Sequence, residues 1–227
     1  GLARRYRHLA VQRGGVLIKM GQFLSIRVDI LPAEVLAELV GLQDEVPAEP
    51  LAGIQATLTA EFGRPAEQVF AWLSPQPDAA ASLAQVHRAR LTPAPGDADA
   101  TGAEVVVKVQ RSGLARVVDT DLAAIRAATQ LLKLYPPIPQ RVDLDRLFDE
   151  FARTTRAELD FVAEGQNIER FAADFAHDPG IVVPRVHWEH TTPRVLTMEN
   201  VAAIKVSDVA ALTAAGIDPT RVARRLF

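Results

Sequence analysis

The sequence has 227 residues, of which 48% are hydrophobic and 23% charged, and these proportions indicate a folded globular chain rather than a disordered one. It contains no cysteine, which excludes disulfides, thiolate metal sites and a cysteine nucleophile. The net charge is −3 and the 25 basic residues are spread along the chain, which argues against a nucleic-acid-binding protein.

The first third of the sequence is predicted to be helical. Pro32 lies where a helix would begin and Pro47 where it would stop. Apolar residues recur between them at the spacing of one helix face, at Val35, Leu36, Leu39 and Leu42. A second helix is predicted for 49–62, with Gly63 as its C-terminal cap, and a third, short helix for 65–73.

From Ser74 onward the pattern changes to that of strands. Residues 86–91 and 104–110 are strand-like, and the second segment contains three consecutive valines. Residues 92–102 between them are polar and rich in turn formers, which predicts a hairpin with a long exposed loop.

The rest of the chain is predicted to combine helices with two further strands. A helix is expected over 119–135, and a helical stretch with one break allowed runs from the N-cap residue Asp143 to about 175. Two short strands follow at 186–190 and 194–198, and helical residues continue from 207 to the end. This order predicts a small antiparallel sheet with helices packed on it, which is the α+β class.

Lys108 is the most unusual residue of the predicted strands. It lies among valines, and strand alternation places it on one face with Val106 and Gln110. Burying a lysine there is costly unless it meets an anion. The alternative is a lysine on a strand edge or a solvent-facing side of the sheet.

Small residues precede the first strand of the predicted hairpin, at Ala79, Ala80, Ala81 and Ser82. Such residues let backbone N–H groups approach a phosphate closely, a role that glycine usually fills. The alternative is compositional bias, since the chain has 37 alanines.

Three acidic residues stand close together in the long helical stretch, at Glu158, Asp160 and Glu164. On one helix, Glu158 and Glu164 would point about 240° apart and could therefore serve different cations. A solvated acidic face is the alternative interpretation. Earlier in the chain, Gly21 lies in a helix-like stretch with Lys19 and Gln22, which predicts close packing there.

The sequence contains no P-loop and no nucleophile elbow. The five histidines lack the spacing of metal ligands, so no metal site is predicted within these residues, and His187 and His190 are expected in a strand or turn. No apolar run reaches 18 residues and no signal peptide is present, so we expect a cytoplasmic protein. Heavy use of alanine, arginine and proline is typical of GC-rich genomes and indicates a bacterial source.

Taken in order, the motifs resemble those of the UbiB-like atypical kinases, also known as the ADCK or coenzyme Q kinase-like family. The opening motif consists of Lys19-x-Gly21-Gln22, then Leu24-Ser25-x-Arg27-x-Asp29-x-Leu31-Pro32 and Leu42-Gln43-Asp44-x-Val46-Pro47. The later motifs are the alanine-rich loop 79–87, the lysine strand 106–110, and Glu158-x-Asp160 with Glu164 and Asn167. The resemblance covers essentially the whole sequence.

The resemblance implies a protein-kinase-like N-lobe in which Lys108 contacts the α- and β-phosphates and pairs with a helix glutamate. By position, Glu164 is expected to be that partner. The other residues expected at the catalytic site are Lys19, Gln22, Glu158 and Asp160, with the two acids facing Lys19 and Gln22.

The resemblance also implies a bound ATP or ADP. The alanine-rich loop would hold the phosphates through Ala79, Ala80, Ala81, Ser82 and Gln85, with a preference for ADP. Met198 would be the gatekeeper, and the backbone at Glu199 and Val201 would hold adenine. Asn200 and Ala203 stand where the family usually has an aromatic residue and a glycine. Magnesium is expected with the nucleotide, and its ligands are expected in residues that follow this sequence.

The implied organisation is a helical extension over 1–73, an N-lobe over 74–201 and the start of a C-lobe over 202–227, with most of the C-lobe missing. The expected function is that of a kinase-like ATPase supporting isoprenoid quinone or lipid metabolism rather than phosphorylating proteins, and the piece alone is expected to be inactive. Expected partners are the nucleotide and a lipid or quinone precursor, with peripheral attachment to an inner membrane through other regions. The alternative is a non-catalytic pseudokinase regulator that binds a partner through its extension. A relative of the aminoglycoside or choline phosphotransferases is disfavoured by the opening motif.

Overall fold

The fold is given by a computed structural model, which describes residues 2–13, 15–25, 33–40, 47–93, 102–134, 143–201 and 203–226. Within these ranges the chain forms one antiparallel sheet. Along the sequence, helices precede the first strand, lie between the fourth and fifth strands, and follow the last strand. The protein is therefore α+β, as the sequence predicts.

Three helices open the chain: α1 (Leu2–Arg13), α2 (Gly15–Ser25) and α3 (Ala33–Val40). Their shared core contains Ala10, Ile18 and Leu39, with Val35 packed beside it. The predicted apolar stripe on α3 is therefore partly an internal face, while Pro32 and Leu42 lie outside the described residues. Tyr6 is part of this core and donates a hydrogen bond to the Leu17 carbonyl at 2.5 Å, and burial raises the pKa of its hydroxyl.

Five strands form the sheet. They are β1 (Phe70–Leu73), β2 (Ala79–Ala80), β3 (Ala84–Leu91), β4 (Glu104–Gln110) and β5 (Val195–Glu199). The order is β1-β3-β4-β5 with every pair antiparallel, and β2 pairs with the start of β3. The strands predicted at 86–91, 104–110 and 194–198 are confirmed within two residues of their limits.

Two predicted elements are wrong. The helix expected over 65–73 is one 3₁₀ turn, Ala66–Gln68, followed by β1, in which Phe70 is buried in the sheet core. A segment this short contains too few apolar positions to distinguish the periodicity of a helix from that of a strand. The strand expected over 186–190 is a single bridge between Val186 and Met198, followed by a 3₁₀ turn, Trp188–His190.

Six further helices complete the described chain: α4 (Leu51–Phe62), α5 (Leu114–Leu132), α6 (Leu144–Ala157), α7 (Phe161–Asp174), α8 (Val209–Ala214) and α9 (Pro219–Leu226). Asp143 caps α6 by accepting a hydrogen bond from the Arg146 N–H at 3.1 Å, and Gly63 ends α4 with φ of 65°, as predicted. The predicted long helical stretch does have one break, between α6 and α7.

The two faces of the sheet are covered by different helices. On the α4 face, Ile54 and Leu58 of α4 pack against the alternate valines Val105, Val107 and Val109 of β4. On the α7 face, Phe161 packs with Ala84, Val186 and Leu196. The α4 face is thus a closed, largely hydrophobic core that also buries Gln85 and His87, whereas the α7 face carries Lys108 and Gln110.

The N-terminal bundle meets the rest of the protein through α2. Val16 of α2 shares a buried core with Val118 and Leu122 of α5 and with Phe151 of α6. Residues 51–73, which the sequence-based division grouped with the extension, instead pack with the sheet, so the bundle ends before α4. In the part of the chain that the structure describes, no helix has both the length and the apolar character needed to span a membrane.

Candidate functional site

Lys108 and Glu164 form an ion pair on the α7 face of the sheet. The Lys108 Nζ lies 2.7 Å from both carboxylate oxygens of Glu164 and 4.7 Å from the ring centroid of Phe161. The two side chains are 27% and 37% exposed, so the pair is half-buried rather than solvated. Because β4 lies between β3 and β5, the edge-lysine alternative is wrong, and Lys108 does meet an anion.

Helix α7 is fastened on both sides of Glu164 to the segment that precedes β5. Before it, the Phe161 N–H donates to the Pro193 carbonyl at 3.1 Å, and the Phe161 side chain is 1% exposed. After it, Gly165 faces Trp188 so closely that an added Cβ would lie 2.8 Å from the indole Cη2. The Trp188 Nε1–H donates to Glu169 at 2.5 Å. These contacts determine where α7 presents its glutamate.

Lys19 and Glu158 form a second ion pair, which joins α2 to the end of α6. The side chains are 23% and 41% exposed. Gly21, between Lys19 and Gln22 on α2, is buried, as the predicted close packing requires. Glu158 and Glu164 do serve different cations, although the reason is that they lie on either side of a helix break rather than on one helix.

Asp160 has a different local role from the one expected. Its Oδ1 accepts hydrogen bonds from the N–H groups of Val162 at 3.0 Å and Ala163 at 3.2 Å, which makes it the N-cap of α7. The capping role arises because the first turn of α7 has N–H groups that need an acceptor. That Asp160 also faces Lys19 and Gln22 stays a prediction.

Gln110 connects the lysine strand to the break between α6 and α7. It is 4% exposed and shares the α7 face with Lys108. Its Nε2 donates to the Leu159 carbonyl at 2.6 Å and to the Pro193 carbonyl at 3.2 Å. Gln110 is part of the lysine-strand motif, but the sequence alone assigns it no role. Its position two residues after Lys108, on the same face of the strand, is the signal that could have identified it.

The alanine-rich loop is a tight hairpin beside the lysine strand. Ala79 and Ala80 form β2, and the Ala81 N–H donates to the Ala84 carbonyl at 2.8 Å. Ala79 lies opposite Val86, which lies opposite Lys108, so the three residues form one row across the sheet on the α7 face. Ser82 is 3% exposed at the tip of the hairpin.

Gln85 does not belong to the α7 face. It is fully buried on the α4 face, where its amide bonds both the N–H and the carbonyl of Glu49 and also His87. A direct contact from this side chain to a ligand beside Lys108 is excluded, because adjacent strand residues point to opposite faces.

The segment expected to hold adenine begins on the α7 face. Met198 lies opposite Val106 and packs against Leu196 and Val186. The Glu199 N–H donates to the Arg185 carbonyl at 2.9 Å, and Val201 is half-buried. A concavity of about 360 Å³ lies nearby, lined by Trp72, Arg88, Ala89, Arg90, Glu104 and Asn200. The adenine contacts themselves stay a prediction.

Across the described ranges, no group of three or more histidine, aspartate or glutamate side chains is placed to hold a metal ion. His187 precedes the 3₁₀ turn and His190 ends it. Both are half-buried, and burial lowers the pKa of each imidazole below its ordinary value of 6.5.

Comparison with known proteins agrees with the geometry. Residues 41–227 match the family described as the ABC1 atypical kinase-like domain. A chloroplastic protein of Arabidopsis thaliana, ACTIVITY OF BC1 COMPLEX KINASE 8, is 40% identical over 225 residues, which are 98% of this chain and 28% of that protein. A Xanthomonas euvesicatoria pv. vesicatoria (strain 85-10) protein named "Probable protein kinase UbiB" is 39% identical over 220 residues, which are 96% of this chain and 39% of that protein.

A solved structure shares the fold. It is that of Rv3197 from Mycobacterium tuberculosis in complex with erythromycin, and it matches with a TM-score of 0.58 and 26% identity over 91% of this chain and 49% of that one. The chain spans roughly a third of the length of the two curated relatives named above. The resemblance drawn from the motifs is confirmed: the chain belongs to the ABC1 atypical kinase-like family, with UbiB among its relatives.

Proposed function

We propose that this chain forms the nucleotide-binding part of a kinase-like ATPase and binds ATP or ADP beside Lys108. The observation that supports this most directly is the Lys108–Glu164 pair, in which both carboxylate oxygens lie 2.7 Å from the ammonium. Kinase-like enzymes use a strand lysine held by a helix glutamate to orient the α- and β-phosphates. Membership of the ABC1 family supports the same assignment.

The phosphates would lie between Lys108 and the alanine-rich hairpin. Ala79 shares a row with Lys108, with Val86 between them, so the hairpin and the ammonium flank the same strip of the α7 face. Alanine restricts the loop more than glycine would, and we propose that this stiffness favours ADP. The adenine would lie against Val86, Val106 and Met198, which are apolar and share the α7 face.

Magnesium is expected to accompany the nucleotide and to offset phosphate charge. We propose that its ligands lie in residues outside this chain, because the chain covers 28% and 39% of the two relatives named above. Here Lys108 would supply the positive charge that positions the phosphates, Glu164 would orient the ammonium, and Phe161 would shield one side of it from water.

We propose a small lipid or isoprenoid quinone precursor as the substrate, in a protein attached peripherally to a membrane. The family resemblance supports this choice. The bundle supports it as well, because Lys19 of α2 reaches Glu158 at the end of α6, beside the helix that carries Glu164. A bundle in this position would obstruct a polypeptide substrate more than a small one.

Calorimetric titration of ADP into the wild type and Lys108→Ala tests the site. We expect Lys108→Ala to weaken ADP binding at least about tenfold, since a charge-assisted contact to phosphate is lost. Lys133→Ala is the matched control, because Lys133 is 29% exposed and pairs with Asp145 on other elements. Wild-type ADP affinity in Lys108→Ala would show that the site is misassigned.

The regulator alternative is separated by a second measurement. Its expected partner surface on α3 is reduced, because Val35 and Leu39 pack inside the bundle. The protein encoded by the whole gene should hydrolyse ATP with magnesium, and Lys108→Ala should lower that rate. Nucleotide binding without hydrolysis would instead favour the regulator.

A further inference from the structure

The segment between the N-terminal bundle and α4, residues 47–50, is held by Gln85 of β3 and by Arg111 and Ser112, which follow β4. Arg111 donates from Nη2 to the Pro47 carbonyl at 2.6 Å. The side-chain amide of Gln85 accepts from the Glu49 N–H and donates to the Glu49 carbonyl. The Glu49 carboxylate accepts from both the hydroxyl and the N–H of Ser112. This segment, the linker, is thus docked beside the end of β4.

Arg111 also holds the alanine-rich hairpin. Its Nε donates to the Ala81 carbonyl at 3.0 Å, and its backbone N–H donates to the Leu83 carbonyl at 3.1 Å. Burial lowers the pKa of this guanidinium, while the nearby Glu49 carboxylate raises it. One planar side chain, three residues after Lys108, therefore joins the hairpin to the linker.

We propose that Arg111 is a positioning residue for the alanine-rich hairpin, which it fastens to the docked linker, so that affinity for a nucleoside diphosphate depends on how the linker is seated. This inference rests on the proposed nucleotide site. The bond to Ala81 restricts the backbone of the hairpin whose N–H groups would meet the phosphates. The bond to Pro47 connects the same side chain to the linker, so the hairpin is held in a fixed position relative to the linker.

The coupling acts in both directions, because a ligand that favours one arrangement of the hairpin also favours the linker position that goes with it. Bound ADP should therefore slow amide hydrogen exchange in the linker, although the linker is expected to make no contact with the nucleotide. Loss of Arg111 should remove this long-range protection.

Arg111→Lys is the principal variant, because lysine keeps the positive charge but lacks the planar fork that reaches two carbonyls at once. We expect ADP to bind about tenfold more weakly to Arg111→Lys. Arg116→Lys is the matched control, since Arg116 is exposed two residues into the following α5 helix and should leave ADP affinity unchanged.

Gly53→Ala disturbs the linker itself and leaves the Arg111 side chain unchanged. An added Cβ at Gly53 would overlap the Glu49 carboxylate, which is its nearest neighbour, and would displace it from Ser112. Alanine otherwise favours a helix over glycine, so a general loss of stability is not the expected result. We expect ADP affinity to fall about threefold in this variant.

The outcomes separate this inference from the proposed function. Weaker ADP binding in both variants, with ADP-dependent protection of the linker in the wild type and not in Arg111→Lys, would support it. Wild-type ADP affinity in both variants would overturn the inference and leave the nucleotide site intact. Absence of ADP binding by the wild type, with or without magnesium, would overturn both.

Discussion

Gln110 donates a hydrogen bond of 2.6 Å to the backbone carbonyl of Leu159, and this bond joins the lysine strand to the break between α6 and α7. The break contains Glu158, which reaches Lys19, and Asp160, which caps α7. The same amide also donates to the Pro193 carbonyl at 3.2 Å, ahead of β5. A single buried side chain therefore sets the spacing of three segments around the site.

Replacing Gln110 with leucine should destabilise the protein. The substitution keeps the approximate volume of a buried side chain but leaves the Leu159 carbonyl without its donor and the Pro193 carbonyl with only the Phe161 N–H, which costs about 1 kcal/mol. Urea denaturation measures this loss. Gln166→Leu, at an exposed position of α7, should change stability by less than about 0.5 kcal/mol. Equal effects of the two substitutions would contradict the role of Gln110.

Removing the charge at Glu164 should affect binding more than stability. Because its pair with Lys108 is about a third exposed, Glu164→Gln should cost about 1 kcal/mol or less in free energy of unfolding. The loss in free energy of ADP binding should be larger than this loss in free energy of unfolding, since Lys108 loses the partner that orients it. Paired denaturation and ADP titration check this. A loss of stability with unchanged ADP binding would show that the pair is structural.

Asp160 distinguishes a helix cap from a site carboxylate. As the N-cap of α7, it should be replaceable by asparagine at little cost, whereas Asp160→Ala should lose about 1 kcal/mol of stability. The two variants are compared by thermal denaturation and by ADP titration. If Asp160→Asn loses as much stability and ADP affinity as Asp160→Ala, the negative charge itself matters, which would support the site role that the motif implies for Asp160.

Acidification should weaken the fold through His187 and His190. Burial lowers the pKa of each imidazole from 6.5, so below that pH the unfolded chain binds protons that the folded chain does not. Stability is therefore present above about pH 6.5 and is lost as the pH falls below that value and through the lowered pKa of each imidazole. The double variant His187→Gln and His190→Gln should show a flatter dependence of Tm on pH, with exposed His177→Gln as the control. A slope identical to that of the wild type would exclude these histidines as its source.

The lysine strand could be predicted from the sequence because three valines and an out-of-place lysine give strong strand periodicity. Its partner Glu164 was identified from a motif, since no local pattern links residues 56 positions apart. The face occupied by Gln85 could not be predicted, because a shift of one residue decides it and the register depends on pairing with β4. The cap role of Asp160 was missed because the position of the helix break was not known.

The placement of Lys108, Gln110 and Arg111 makes the site depend on the pairing of one strand with its neighbours. A slip of β4 by a single residue would turn Lys108 into the closed core of the α4 face and bring a valine to Glu164. Val105, Val107 and Val109 oppose that slip, because each is fully buried and would be moved to the polar side. The buried valines of β4 therefore fix the register that the site residues need. A misfolded form with the wrong register would lose the site and would also expose apolar surface.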